Sequence, residues 1–290
     1  MKSFIKQSLL LLLSFYAFMR RGKVYKFKYK DTYKGETAYI LCNGPSLKRA
    51  LVDYDEGKEL FNNNSFMVNM GALDENHFFK IKPKHYCFSD PIFFRDYEPK
   101  KEAIMKMYNI FEKKVDWDMN IYTCFADNKG NEIIKEYSKI TNPHIHFVPI
   151  NKVYCQNLKP SLRHKLYNSG YFMPIEGSIV STAIYVALLE GYSTIYLYGV
   201  DHNQFLDLAV NDNNQLCSVD RHFYDNDEPV LKPFLDTSRT DGGVFRVHDF
   251  FRFLSEMFTS HEYLSQFAKF KGARIINCTK GSMIDSYERR

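Results

Sequence analysis

The chain has 290 residues, 45% of them hydrophobic, enough for one sizeable core in one large or two small domains. Its formal net charge of +5 is spread out, and no Lys/Arg block resembles a nucleic-acid arm; nucleic acid is not an expected partner, whereas nucleotides or an anionic lipid surface are compatible. The six cysteines (Cys42, Cys87, Cys124, Cys155, Cys217, Cys278) form no CxxC pair, so they point to neither a zinc site nor a disulfide frame, and read as free thiols in a reducing compartment.

The first 22 residues stand apart. An apolar run over 9–19 lies between Lys6 and the basic Arg20, Arg21 and Lys23. It is shorter than the roughly 18–20 residues that span a bilayer, and "AFMRRGK" offers no small-residue cleavage site. The pattern predicts an interfacial helix, apolar side in lipid and basic flank on headgroups. A helix packed on the protein's own core, or at a homo-oligomer contact, would use the same residues.

Strand-like and helix-like segments then alternate. "TAYILCN" is a strand followed by a polar helix from Leu47; "SFMVNMGA", "KPKHYCFSDP", "DMNIYTCFA" and "HIHFVPI" are further strands. "STAIYVALLEGY" has helical spacing and leads into the strand "STIYLYGVDH"; "HEYLSQFAKFKG" is a helix stopped by Gly272 before the strand "ARIINCT". The order predicts an α/β fold over 23–290: a single Rossmann-like domain, its sheet mostly parallel, with helices on both faces. Residues 203–247 are polar and irregular in pattern, and read as a lid over an active site.

In such sheets ligands bind outside the carboxyl ends of the strands, and three clusters fall there. In Asn43-Gly44-Pro45-Ser46, glycine would let the backbone approach a ligand and proline would stiffen the turn. Asn43 and Ser46 add side-chain hydrogen bonds, and the helix from Leu47 would aim its amides at an anion. Ordinary turn chemistry explains the same residues. Neither GxGxxG nor a Walker loop occurs, so no NAD cofactor is expected. Gly177, Ser178, Ser181 and Thr182 gather where a helix starts, suited to phosphate or to simple capping. Gly199, Asp201 and His202 end an apolar strand, where a carboxylate could hold a sugar hydroxyl. The "DND" at 225–227 imitates a metal-binding DxD but follows polar loop, and His144 and His146 alternate as one exposed strand face; no metal is expected. The 21 Tyr and 25 Phe against one Trp suit sugar and nucleotide ligands, or reflect AT-rich coding.

"CNGPSLKRALVDYDEG", "FMVNMGALDENHFFKIKPKHYCFSDPIFF" and "ALLEGYSTIYLYGVDH" resemble, in order, signature stretches of the bacterial lipooligosaccharide sialyltransferases. These are glycosyltransferases with one Rossmann-like domain and a lid, in a wider group that includes polysaccharide-biosynthesis proteins and a pterin-pyrophosphokinase-like branch. The resemblance returns at "AKFKGARIINCTKGS". It implies that Asn43 and Gly44, in the turn with Pro45 and Ser46, contact a cytidine nucleotide, with Asn69 also on the donor. Asp90 stands where the family has asparagine, and the loop of Gly177, Ser178, Ser181 and Thr182 would bind phosphate. His248 is the implied general base, with His222 as its rival, and Tyr224 and Arg246 would stabilise the leaving phosphate. Where the family carries an arginine, this chain has Glu176-Gly177-Ser178, which removes a cation and tells against a sialic-acid donor.

The expectation is a metal-independent glycosyltransferase using a nucleotide-sugar, CMP-sugar first, as substrate. Its acceptor would be a lipopolysaccharide or capsule glycan or glycolipid, and its place the inner face of a bacterial cytoplasmic membrane. The alternatives are a pyrophosphokinase-like phosphotransferase needing ATP and Mg²⁺, and a non-catalytic nucleotide- or glycan-binding protein.

Overall fold

Period-two burial sorts each strand's side chains between two helical layers. From β1 (Thr37–Leu41), Ala38 and Ile40 enter one apolar cluster and Leu41 the other. After the helix α2 (Leu47–Asp55), β2 (Ser65–Val68) sends Phe66 and Val68 to the first cluster and Met67 to the second. The α3 helix (Glu75–Ile81) leads to β3 (His85–Phe88), then α4 (Lys101–Lys114), β4 (Met119–Phe125), α5 (Gly130–Ser138) and β5 (Ile145–Asn151). Both faces of these strands are apolar because both are covered, as expected of a parallel sheet. This is a computed structural model, and the residues it describes are 2–20, 24–125, 130–219, 231–235 and 243–290.

The chain then passes α6 (Pro160–Asn168) and α7 (Ile179–Glu190) and returns to the middle of the sheet as β6 (Thr194–Tyr198). Every residue of α7 from Val180 to Glu190 is buried, so this helix is apolar all round rather than amphipathic. Gly191, with φ +93°, ends it in the left-handed conformation that favours glycine. The remaining main-sheet strands are β10 (Arg274–Asn277) and β11 (Glu288–Arg289). The sheet has eight strands in the order β11-β10-β6-β1-β2-β3-β4-β5, and all its pairings are parallel. α2, α3, α4 and α5 supply the cluster on one face, and α7 with the 25-residue α8 (Val247–Lys271) that on the other. The chain is therefore an α/β fold with a single Rossmann-like sheet, as the sequence predicted.

One segment differs from its sequence reading, and another takes one of its two readings on one side. Part of the presumed irregular lid is a small antiparallel sheet of β7 (Ala209–Val210), β8 (Leu216–Val219) and β9 (Leu231–Pro233). Its polar "NDNNQ" is a hairpin turn, closed by Asn211 N–H donating to the Gln215 carbonyl, with Asn214 at φ +54°. Leu216 anchors this sheet on α8 through Phe250, Leu254 and Met257. The N-terminal helix α1 (Lys2–Arg20) also packs on the core: Leu10, Leu11, Ala17 and Phe18 face it, and Phe18 stacks on Phe172 at 5.4 Å. Gln7 bonds the Asn157 carbonyl and the Lys159 amide. Its other side leaves Leu9, Leu12, Leu13, Tyr16 and Met19 exposed. Among the described residues, no helix is long and apolar enough to cross a membrane.

At the amino ends of the strands lies a sealed polar group. The Tyr122 hydroxyl hydrogen-bonds Glu190, His85 Nδ1 is 3.5 Å from Glu190 Oε2, and His85 Nε2 is 2.9 Å from the Tyr192 hydroxyl. Burial holds the Glu190 carboxyl well above its ordinary range and pushes His85 down to about 3, so both are neutral near pH 7.

Candidate functional site

From β1 the chain winds outward through β2 to β5, then jumps back to β6 on β1's other side and continues outward to β10 and β11. The reversal puts the topological switch point between β1 and β6, where open parallel sheets hold their ligands. Asn43-Gly44-Pro45-Ser46 leaves β1 there and Gly199-Val200-Asp201-His202 leaves β6.

Three hydrogen bonds lace these turns together. Cys42 N–H donates to the Tyr198 carbonyl (2.9 Å), Gly44 N–H to the Gly199 carbonyl (3.0 Å), and the Ser46 hydroxyl to Asp201 Oδ2 (2.8 Å). Burial raises the Asp201 carboxyl, and the Ser46 side chain and amide pull it back down. Two details depart from the sequence reading. A Cβ on Gly44 would sit 1.9 Å from Asp201 Oδ2 and 2.5 Å from the Gly199 carbonyl oxygen, so this glycine makes room for Asp201 rather than for a ligand. The first amides of α2 are also taken: Leu47, Lys48 and Arg49 donate to the carbonyls of Gly44, Pro45 and Ser46, and none is left for an anion.

Polar groups without a partner lie one strand over. Asn43 Nδ2 donates to the Val68 carbonyl at 3.1 Å, while its buried Oδ1 has no hydrogen-bond partner. Asn69, at φ +48°, is fixed by its amide on the Cys87 carbonyl and by the Tyr86 hydroxyl on its own carbonyl at 2.6 Å. Its Oδ1 is likewise buried and unpartnered. Two unmet amide acceptors thus sit at the carboxyl ends of β1 and β2, where leaving them unmet is costly. Each can accept a hydrogen bond from a hydroxyl, an amino group or an ordered water.

The second cluster is only partly open. Ser178 caps α7 without a side-chain bond to its amides, whereas Ser181 and Thr182 are sealed in the first turn, 1% and 0% exposed. Thr182 donates to Glu176 Oε1 at 2.5 Å instead of facing a ligand, and Gly177 allows the loop to pass against Met257 of α8. Glu176 also pairs with Lys152 Nζ at 2.6 Å, so the cation the sequence seemed to lack arrives from the segment after β5. Sequence reading missed Lys152; its place directly after a strand was the available signal. Asp90 accepts from the Ile92 amide at 3.1 Å. Burial lifts its pKa, the Ile92 amide, Lys100 and Arg95 lower it, and Glu176 raises it.

The third cluster ends in His202, at φ +51°. Its Nε2 lies 3.1 Å from His261 Nε2 and 3.4 Å from Ser178 Oγ, and His261 Nδ1 is 2.8 Å from the Tyr287 hydroxyl. Burial pushes His202 down to about 4 and holds His261 well below the ordinary imidazole range, so both rings are neutral near pH 7. Position alone marked His202 in the sequence; its partners arrive from far along the chain.

The two histidines proposed as base fare differently. His248 lies in the first turn of α8, two-thirds exposed and 3.2 Å from Asp249 Oδ1, with Arg246 exposed just before it. No bond joins His248 to the laced turns. His222 and Tyr224, and the "DND" at 225–227, lie outside the described residues. His144 and His146 both face Asp118, at 3.1 and 3.5 Å. Among the described residues no three His, Cys, Asp or Glu side chains come together as a metal site. No family model matches the chain, and no curated protein matches it.

Proposed function

We propose that the chain is a glycosyltransferase, moving a sugar from a nucleotide-sugar, CMP-sugar first, to a lipopolysaccharide or capsule glycan. The observation that carries the reading is the pair of unpartnered acceptors, Asn43 Oδ1 and Asn69 Oδ1, beside the switch-point crevice. A nucleoside offers the hydroxyl and amino donors that two such oxygens lack, and the ordered resemblance to the sialyltransferases rests on the same asparagines. In the transfer, His248 or His222 takes the proton of the acceptor hydroxyl as its oxygen bonds the anomeric carbon. The bond from that carbon to the nucleotide's phosphate oxygen breaks, and its electron pair leaves with the phosphate.

The exposed side of α1 supports peripheral attachment to the inner face of a bacterial cytoplasmic membrane, since Leu9, Leu12, Leu13, Tyr16 and Met19 lie between exposed Lys6 and Arg20. The test is a thermal-shift screen against CMP-, UDP- and GDP-sugars, followed by turnover on a glycan acceptor with and without EDTA. Stabilisation by one nucleotide class and EDTA-insensitive turnover are expected. Turnover that needs ATP and stops in EDTA replaces the proposal by phosphotransfer. If no nucleotide-sugar binds, the proposal fails.

A further inference from the structure

We infer that His202 is a ligand-binding donor: its Nδ1–H meets an anionic oxygen of the bound ligand, and Tyr287 and His261 hold the ring in that tautomer. The inference rests on the nucleotide reading above for the identity of the ligand, and on the hydrogen-bond chain alone for the tautomer.

The chain can be followed from its buried end. Tyr287 is 8% exposed, and the described partner of its hydroxyl is His261 Nδ1 at 2.8 Å. A buried hydroxyl must place its hydrogen on an acceptor, and an unmet one carries a desolvation cost. Tyr287 therefore donates to His261 Nδ1, which puts the single proton of the neutral His261 ring on Nε2. That N–H points at His202 Nε2, 3.1 Å away, so His202 Nε2 accepts and its own proton sits on Nδ1. The Ser178 hydroxyl lies 3.4 Å from the same Nε2 and, as both donor and acceptor, fits either tautomer. The reverse assignment would leave the Tyr287 hydrogen with no acceptor among the described residues.

Among the described residues His202 Nδ1 has no hydrogen-bond partner, although the ring is gripped through Nε2 and flanked by Phe258 and His261. Its backbone directly follows Asp201, whose carboxylate is tied to Ser46 in the switch-point crevice. His202 itself sits at φ +51° at the end of β6. A neutral imidazole N–H accepts nothing and repels no anion, which suits a phosphate oxygen. Tyr287 and His261 act through His202 as positioning residues.

Two substitutions separate donor from packing. An asparagine side chain places an amide N–H where Nδ1 stands, and asparagine also tolerates a positive φ. Glutamine places its amide near Nε2 instead. With CMP, CDP and inorganic pyrophosphate as probes in calorimetry on the full chain, His202→Asn should keep affinity within about threefold. His202→Gln and His202→Ala should lose roughly tenfold or more, the value of a hydrogen bond to a charged acceptor. Tyr287→Phe should lose a comparable amount without touching the ligand. Nitrogen-15 NMR of the rings should show His202 protonated on Nδ1 in the parent and moved to Nε2 in Tyr287→Phe.

Equal loss in His202→Asn and His202→Ala overturns the donor role. An Nε2–H tautomer of His202 in the parent overturns the chain. If no probe binds the parent, the nucleotide reading fails and takes the ligand assignment with it, while the ring spectra still decide the tautomer.

Discussion

Replacing Gly44 by alanine tests how the two strand-end turns are joined. The new Cβ would lie 1.9 Å from Asp201 Oδ2 and 2.5 Å from the Gly199 carbonyl oxygen, both inside any tolerated contact. The carboxylate can swing away, but only by giving up the Ser46 hydroxyl. The Gly199 carbonyl cannot, because it belongs to backbone at φ +67° whose own Cβ position is 2.1 Å from the Cys42 carbonyl oxygen. The turns must therefore part. Overpacking of this kind costs about 1–3 kcal/mol, and losing a hydrogen bond to a charged acceptor adds roughly 1.5–3 kcal/mol. At roughly 2 °C per kcal/mol for a chain of this size, Tm should fall by about 5–12 °C. Ser46→Ala removes only the hydrogen bond and should cost roughly half as much. Urea unfolding of the three proteins, read by circular dichroism, gives the comparison. A Gly44→Ala protein as stable as the parent, or no less stable than Ser46→Ala, would refute the interlocked geometry.

Three further outcomes follow from buried and exposed faces. Burial keeps Glu190 protonated, so its contribution is whole below about pH 4.5 and is lost as pH rises toward its raised folded value. Glu190→Gln should therefore gain on the parent as pH increases above 5, by up to about 1.4 kcal/mol per pH unit; a difference in Tm that stays flat from pH 5 to 9 would show the carboxyl is not held neutral. His85 works in the opposite sense: pushed down to about 3, its contribution is whole above about 6.5 and is lost as pH falls toward 3. On α1, Leu12→Ser with Leu13→Ser should cut binding to anionic vesicles at least tenfold, roughly, with Tm nearly unchanged, since both side chains are more than half exposed. Phe18→Ala should do the reverse, lowering Tm through its lost stack on Phe172. If the parent ignores vesicles in a flotation assay but dimerises in solution, the apolar face serves a second copy.

Seven of the eight main-sheet strands were legible because their apolar residues run short and are bounded by turn residues, whereas β11 is two polar residues without such a pattern; the switch point followed once β6 was seen to return beside β1. Sequence period says nothing about what a glycine's empty side faces. Gly44 therefore read as ligand space, although Asp201 fills it. The hairpin over 211–215 was hidden for a related reason, since "NDNNQ" is polar enough to pass for loop while closing its own hydrogen bonds. Ser181 and Thr182 looked like phosphate ligands because hydroxyls at a helix start serve both uses, and only burial separates them. Lys152 carried only its place after a strand and His261 no signal of its own: each matters through a partner distant in sequence, Glu176 for one and His202 for the other.

The strand order also dictates when the crevice can exist during synthesis. β1 must wait for β6, since Thr37 pairs with Thr194 and Leu41 with Tyr198, while β2 to β5 emerge and can pair outward beforehand. Until residues near 200 have left the ribosome, one edge of β1 stands unpaired, and α7 is absent from the face it covers. α1 waits too, because Gln7 bonds Asn157 and Lys159 and Phe18 stacks on Phe172. Loop closure over such separations is slow. The half-made sheet offers its open β1 edge and apolar face to any neighbouring chain, so slowing synthesis between β5 and β6 should raise the share of nascent protein lost to aggregation.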